Sequence, residues 1–174
     1  MNLEFYLEKL HSSQEYKNFI KENSNAYLCS GFFIIDKEKG LEGDQQHLDF
    51  YMPTRLPKDT RSGERMVSFC LSDACQKKPV DVVDKENVPE KIPECDFDFE
   101  EIEKIIIEKM QEQGIKNKIQ KILLSLQSKD GKCFLIGTIF LSSLGMLKVN
   151  INISEMKITN FEKKSIFDMV RRVK

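Results

Sequence analysis

The sequence predicts an α+β protein of two αβββ halves with antiparallel sheets, each packed by a helix, plus a C-terminal helix. Three observations support this prediction. Each half opens with a capped amphipathic helix, three strand-like runs follow that helix, and a charged, proline-containing stretch separates the halves. We therefore divide the 174 residues into an N-terminal unit at 1–75, a linker at 76–97 and a C-terminal unit at 98–174.

Two helical stretches open the chain. Asn2 is a suitable N-cap for the first stretch, and Ser12 with Glu15 forms an S-x-x-E capping box for the second. Asn23 begins a polar run that ends the second stretch. The pattern is also compatible with one bent helix.

Three strand-like runs follow the helices. Residues 26–36 are apolar at both parities, which predicts a central strand covered on both faces. Residues 47–52 alternate up to Pro53, and residues 66–71 alternate again. One parity of the first run, with Phe32 and Ile34 next to Leu28, would remain uncovered by the helix of its own half.

The stretch at 76–97 predicts a linker, because Pro79, Pro89 and Pro93 lie among charged residues. Proline lacks the N–H group that a helix or a sheet ladder uses. We expect at most a short edge strand at 80–83.

The second half opens with a better specified helix. Asp98 is the N-cap, Glu101 completes a capping box, and Gly114 provides the left-handed stop. A strand is predicted around residues 122–126, and the residues at 128–131 form a hairpin turn.

The last elements follow that turn. Residues 133–141 are apolar at both parities, so the side carrying Leu135, Ile139 and Leu141 also requires cover beyond that of the helix. The alternation that starts at 149 changes parity at Ser154 and Glu155, where we expect a bulge or bend. Residues 165–168 are predicted to cap the final helix.

Composition excludes several classes of function. The net charge is −1, so the whole chain has no field that would attract nucleic acid or an anionic membrane. Residues 98–174 carry an excess of basic residues and residues 1–97 an excess of acidic ones. The longest uncharged run, 133–147, is too short for a membrane-spanning helix and contains turn residues.

The start of the sequence has no basic segment followed by an apolar one, as a secretory signal would, and five cysteines is an odd number. We therefore expect reduced thiols and a cytoplasmic location.

No motif for chemistry stands out. Phosphate-binding glycine motifs are absent, and the cysteines and two histidines lack the spacing of a zinc site, so we predict no cofactor and no metal. The candidate for catalysis is a thiol-dependent hydrolase that uses Cys29 and His47, if their strands pair. A buried cysteine near an exposed histidine explains the same residues without catalysis.

The loop after the second strand carries Arg55 and Arg61 among other charges, which could bind an anion or a nucleic-acid backbone. Because no aromatic residues alternate with these charges, a solvated loop is favoured and no nucleic-acid partner is predicted.

The acidic-capped helix at 98–114, the turn Asp130-Gly131 and the alternating strand at 149–153 together resemble the αβββ units of PepSY and cystatin-like proteins. This resemblance implies a non-catalytic module that binds or inhibits a partner. The element order also suits a specialised dimeric chaperone.

We therefore predict a non-enzymatic protein that binds a protein partner, or a second copy of itself, through an apolar sheet face or strand edge. The surface is predicted to involve the following residues: Phe32, Ile34, Phe50, Tyr51, Arg55 and Arg61.

Overall fold

A computed structural model describes residues 1–53, 66–72, 74–80 and 88–165. The α+β class and the arrangement of helix followed by antiparallel strands in each half are confirmed. The arginine-containing loop, with Arg55 and Arg61, and the predicted C-terminal helix lie outside the described residues. Ser165, the expected cap of that helix, is the last residue of a strand.

Two helices open the first half: α1 spans Leu3–Ser12 and α2 spans Gln14–Glu22. They are separate because Ser13 has extended backbone angles and caps α2, accepting a hydrogen bond from the Tyr16 amide at 3.2 Å. The N-cap is therefore one residue later than the capping box placed it.

Four strands complete the first half: β1 at Tyr27–Asp36, β2 at Gln45–Tyr51, β3 at Met66–Cys70 and β4 at Gln76–Val80. The fourth strand lies inside the proposed linker and slightly before the expected position of the edge strand. Pro79 is tolerated there because β4 is the outer strand of the described sheet and pairs only with β3.

The second half opens with α3 at Phe99–Glu112, and Asp98 caps it by accepting hydrogen bonds from the amides of Glu100 and Glu101. Its strands are β5 at Ile119–Lys129, β6 at Lys132–Leu141, β7 at Gly145–Asn152 and β8 at Lys157–Ser165. The expected bend at Ser154 and Glu155 is a full reversal of the chain, which adds a fourth strand to this half.

The two halves form one sheet. Among the described residues the strand order is β4-β3-β2-β1-β5-β6-β7-β8, and every neighbouring pair is antiparallel. The β1–β5 pairing joins the halves, with Phe32 opposite Ser125 and Ile34 opposite Leu123. Both runs that were apolar at two parities, β1 and β6, are interior strands of this sheet, as predicted.

The main core lies between the sheet and the three helices. Phe33 packs against Tyr6 and Phe99, whereas Phe69 packs against Tyr16 and Phe19. The second half contributes Ile102 and Ile106 from α3, which are buried with alternate residues of β5, β6 and β7. We call this side of the sheet the covered face.

Candidate functional site

The opposite side of the sheet, which we call the open face, is the candidate functional site. Alternation along each strand sends every second side chain to this side. Its central apolar residues do not belong to the buried core cluster or to the half-buried residues packed against that cluster. They are Phe32, Ile34, Leu123, Phe134, Ile136 and Phe140.

The central part of the open face is an apolar strip along β1, β5 and β6. Ile136 is 42% exposed, and the other five residues of the strip are half-buried. Three adjacent strands give a width of about 10 Å, and the distance along β6 from Phe134 to Phe140 is about 20 Å. No described helix packs on this strip.

The structure corrects which side of β6 requires further cover. Leu135, Ile139 and Leu141 are fully buried in the core of the covered face. The other parity, with Phe134, Ile136 and Phe140, forms the open face.

A register shift between Leu28 and Ser30 similarly moves Leu28 to the covered face. This bulge separates Leu28 from Phe32 and Ile34, with which the sequence pattern had grouped it.

The four described residues of the predicted surface are divided between the two faces. Phe32 and Ile34 lie on the open face. Phe50 is 4% exposed and packs against Tyr16 and Phe19 below the helices, so we remove it from the candidate surface.

Tyr51 lies at one end of the open face, with its ring tilted by 46° against that of Tyr27 and the ring centres 5.6 Å apart, but only 5% of Tyr51 is exposed. The Tyr27 hydroxyl donates to the Pro89 carbonyl at 2.9 Å, which anchors the chain segment that precedes α3. Tyr51 therefore offers little surface to a ligand, whereas Tyr27 is half-buried, and the Ser30–Asp49 pair separates both tyrosines from the strip.

The charged groups of the open face are unequal in number. Strand register places three carboxylates on it among the described residues: Asp36, Asp49 and Glu162. It places seven lysines on the same side: Lys78, Lys121, Lys129, Lys132, Lys148, Lys157 and Lys164. The open face is thus basic although the whole chain has a net charge of −1.

Two of the three carboxylates are neutralised by lysines on the same face. Lys121 Nζ lies 2.9 Å from Asp36 Oδ2, and Lys164 Nζ lies 3.2 Å from Glu162 Oε2. The hydrogen bonds that Asp36 accepts from the Lys121 side chain and from the Lys39 amide lower the pKa of its carboxyl group to about 2. Asp49 accepts a hydrogen bond from the Ser30 hydroxyl at 2.7 Å.

The thiol chemistry expected of an enzyme is not favoured by this environment. Cys29 and His47 do lie on paired strands, but the Cys29 thiol donates to the Asp49 carbonyl at 3.3 Å. Burial, and then the charge of Asp49, raise the pKa of Cys29 to about 12. Burial also lowers the pKa of His47. A nucleophilic cysteine needs a lowered thiol pKa, whereas the pKa of Cys29 is raised.

A second pair of thiols lies away from the open face. Cys133 is buried in the core cluster and Cys95 packs against that cluster, close enough for the two thiols to interact. Burial raises the pKa of both thiols, so neither resembles a reactive cysteine. Within the described ranges, no cluster of three or more potential metal ligands occurs.

Comparison with known proteins supports the fold and gives no function. No family model matches the chain, and no curated protein matches it. A solved structure of a "putative lipoprotein" from Clostridium difficile 630 superposes with a TM-score of 0.52 at 9% identity, covering 86% of this chain and 90% of that one. Helices with the length and apolar composition needed to cross a bilayer do not occur in the described part of the chain. The superposition with the bacterial protein indicates a shared antiparallel α+β architecture.

Proposed function

We propose that the protein is a non-enzymatic binding module whose open face holds a segment of a partner protein. One observation supports this above all: an apolar strip about 10 Å by 20 Å lies in the middle of a sheet whose other face already has its core. Contiguous apolar surface on a soluble protein can mark an interaction site, and this strip lies where no described helix covers the sheet.

The dimensions of the strip favour a helical segment. A helix with its side chains is about 10–12 Å wide, and about 14 residues of helix cover 20 Å. Sheet edges offer less to a partner. Edge strand β4 carries Lys77, Lys78 and Pro79, which oppose the addition of another strand. The other edge strand of the described sheet, β8, carries four charged residues: Lys157, Glu162, Lys163 and Lys164.

This proposal keeps three expectations from the sequence. They are a module that resembles PepSY and cystatin-like units, a cytoplasmic location and, as an alternative, a dimeric chaperone. The chaperone alternative uses the same surface with an unfolded client or a second copy of the chain. The hydrolase alternative is weaker, because it requires a Cys29 thiolate at neutral pH where burial raises the thiol pKa to about 12.

A selection experiment tests the proposal. A displayed library of helical peptides is selected on the wild-type protein, and the binders are then measured on Phe134→Ser/Ile136→Ser. We expect these binders to lose at least about ten-fold in affinity, since two apolar contacts of the strip are removed.

The matched control is Phe5→Ser/Ile107→Ser, which removes one phenylalanine and one isoleucine that are exposed on the helices. It should leave the binders unaffected. If the selected peptides bind the open-face variant as well as wild type, or lose affinity on the control variant, the proposal is wrong.

A further inference from the structure

We propose that the open face selects an acidic amphipathic helix, with its carboxylates on the side that faces β7 and β8. This inference rests on the proposed function and adds the chemistry of the partner. It is carried by the position of the lysines relative to the apolar strip.

Two of the lysines lie along one side of the strip, and a third lies at its end. Lys148 is on β7 opposite Thr138 of β6, and Lys157 is on β8 opposite Asn152 of β7. With strands about 4.8 Å apart, they lie about 5 Å and 10 Å to the side of β6. Lys132 occupies the end of the strip, two residues before Phe134 on the same parity.

These three lysines are exposed, and no described carboxylate forms an ion pair with them. The other side of the strip differs, because β2 places His47 and Asp49 there. Glu162 lies opposite Lys148 on β8, but it is paired with Lys164, so the β7–β8 flank keeps a net positive charge. A helix lying on the strip would thus meet a basic flank on one side and a carboxylate on the other. Such a distribution favours acidic residues on one flank of the partner and fixes its direction.

The positive charge of this flank argues against two other occupants of the strip: residues 166–174 of the same chain, and a second copy of the chain. Residues 166–174 carry three basic residues and one acidic residue, the wrong balance for a lysine flank. A second copy that presented its own open face would bring the same excess of lysines and would be repelled. A partner of opposite charge avoids both costs.

Nucleic acid is also attracted to lysines, but the strip suits it less well. Single-stranded nucleic acid needs exposed aromatic rings on which bases stack. The most exposed residue of the strip is aliphatic, Ile136, whereas the three phenylalanines of the strip are half-buried. Branched aliphatic groups pack against the apolar side chains of a helix.

Two synthetic helical peptides test the inference. Both carry the same leucine stripe at i, i+3, i+4 and i+7 spacing; one has glutamates on one flank and the other has lysines there. We expect the glutamate peptide to bind wild-type protein at least about ten-fold more tightly at low salt, and its advantage to decrease as salt screens the charges.

Charge reversal supplies the second measurement. Lys132→Glu/Lys148→Glu/Lys157→Glu should weaken the glutamate peptide about ten-fold and strengthen the lysine peptide. The control Lys17→Glu/Lys21→Glu/Lys104→Glu changes the same number of charges on exposed helix positions, so it should leave both affinities unchanged. Circular dichroism and urea unfolding establish that each variant is folded.

The results separate this inference from the proposed function. Equal affinity of wild type for both peptides would overturn charge selection while apolar binding to the strip survives. If neither peptide binds, the proposal that the partner is a helix would be overturned. Tighter binding of a 20-nucleotide oligo-dT than of the glutamate peptide, lost in the open-face triple variant, would overturn the inference in favour of nucleic acid.

Discussion

The two faces of the sheet are formed by the same strands, but their apolar side chains are packed differently. On β1, Phe33 is buried below Tyr6 of α1, Phe99 of α3 and Phe97, which precedes α3, whereas Phe32 contacts the ring of His47 on the next strand. The covered face is thus a folding core. The open face has a similar apolar character, but no helix of the described residues covers its central strip, which indicates that apolar content alone does not reveal which face stabilises the fold.

The neighbouring phenylalanines provide the largest test of this comparison. Phe33→Ala should lower the free energy of unfolding by about 3–5 kcal/mol, because it leaves a cavity in a closed core. Phe32→Ala should cost about 1 kcal/mol, since Phe32 loses little contact. Urea unfolding of both variants measures the difference. Equal losses would mean that the open face is packed as tightly as the covered one.

A smaller effect is expected at Gly137, which lies on the covered face of β6. A Cβ atom built there would lie 2.5 Å from Val149 Cγ2 and 3.2 Å from Leu124 Cδ2. Gly137→Ala should therefore destabilise the protein by about 1–3 kcal/mol through overpacking. Thermal or urea unfolding provides the measurement.

Val149→Ala removes the atom that the new methyl group would meet. In that background, Gly137→Ala should cost little or become favourable, so the two substitutions should be strongly non-additive. Additive losses would show that the glycine is required for another reason than this contact.

Features of the fold that depend on local chemistry were predictable from the sequence, whereas those that depend on long-range contacts were not. Helix caps at Asn2 and Asp98, the stop at Gly114 and the turn at Asp130-Gly131 depend on local chemistry that the sequence displays directly. Local patterns do not reveal that β1 pairs with β5, because that contact joins residues about 90 positions apart. One continuous sheet was therefore beyond what the patterns could establish.

The separate strand β8 was missed for a similar reason. The reversal after β7 uses Met156 in the left-handed region, with φ of 46°, and methionine gives no sign of such a turn. The alternation on both sides of it then resembled one strand with a bulge.

The candidate surface was predictable in part. Phe32 and Ile34 followed from parity. On β6, however, the side that needs further cover was predicted to carry Leu135, Ile139 and Leu141, which are in the core of the covered face. One signal could have helped: Gly137 shares parity with Leu135 and Ile139, and a glycine in a strand often marks a close approach by a neighbour. That signal identifies the covered face.

The ion pair at the edge of the strip offers a test that depends on pH. Asp36 has a folded-state pKa of about 2, below its usual 3.8, because its carboxylate is bonded to Lys121 and the Lys39 amide. Its stabilising contribution is present above about pH 4 and is lost as the pH falls towards 2. Asp36→Asn should therefore reduce stability at pH 7, and its difference from wild type should decrease between pH 4 and pH 2.

Lys121→Met separates the lysine from the backbone amides that share this carboxylate. In the Lys121→Met background, Asp36→Asn should cost less at pH 7, and the remaining cost should reflect the amides of Glu38 and Lys39. A difference between Asp36→Asn and wild type that stays constant from pH 7 to pH 2 would contradict the depressed pKa.

The smallest effect is expected in the middle of the open face. Ile136→Thr keeps a β-branched residue on β6, so the strand preference is largely retained while one apolar group is replaced by a hydroxyl. Because Ile136 is 42% exposed and lies outside the core cluster, unfolding stability should change by no more than about 0.5 kcal/mol. The same change at Ile139, which is fully buried on the covered face of the same strand, should cost several times more. Urea midpoints of the two variants compare the faces directly, and a large loss at Ile136 would mean that part of the chain already covers the strip.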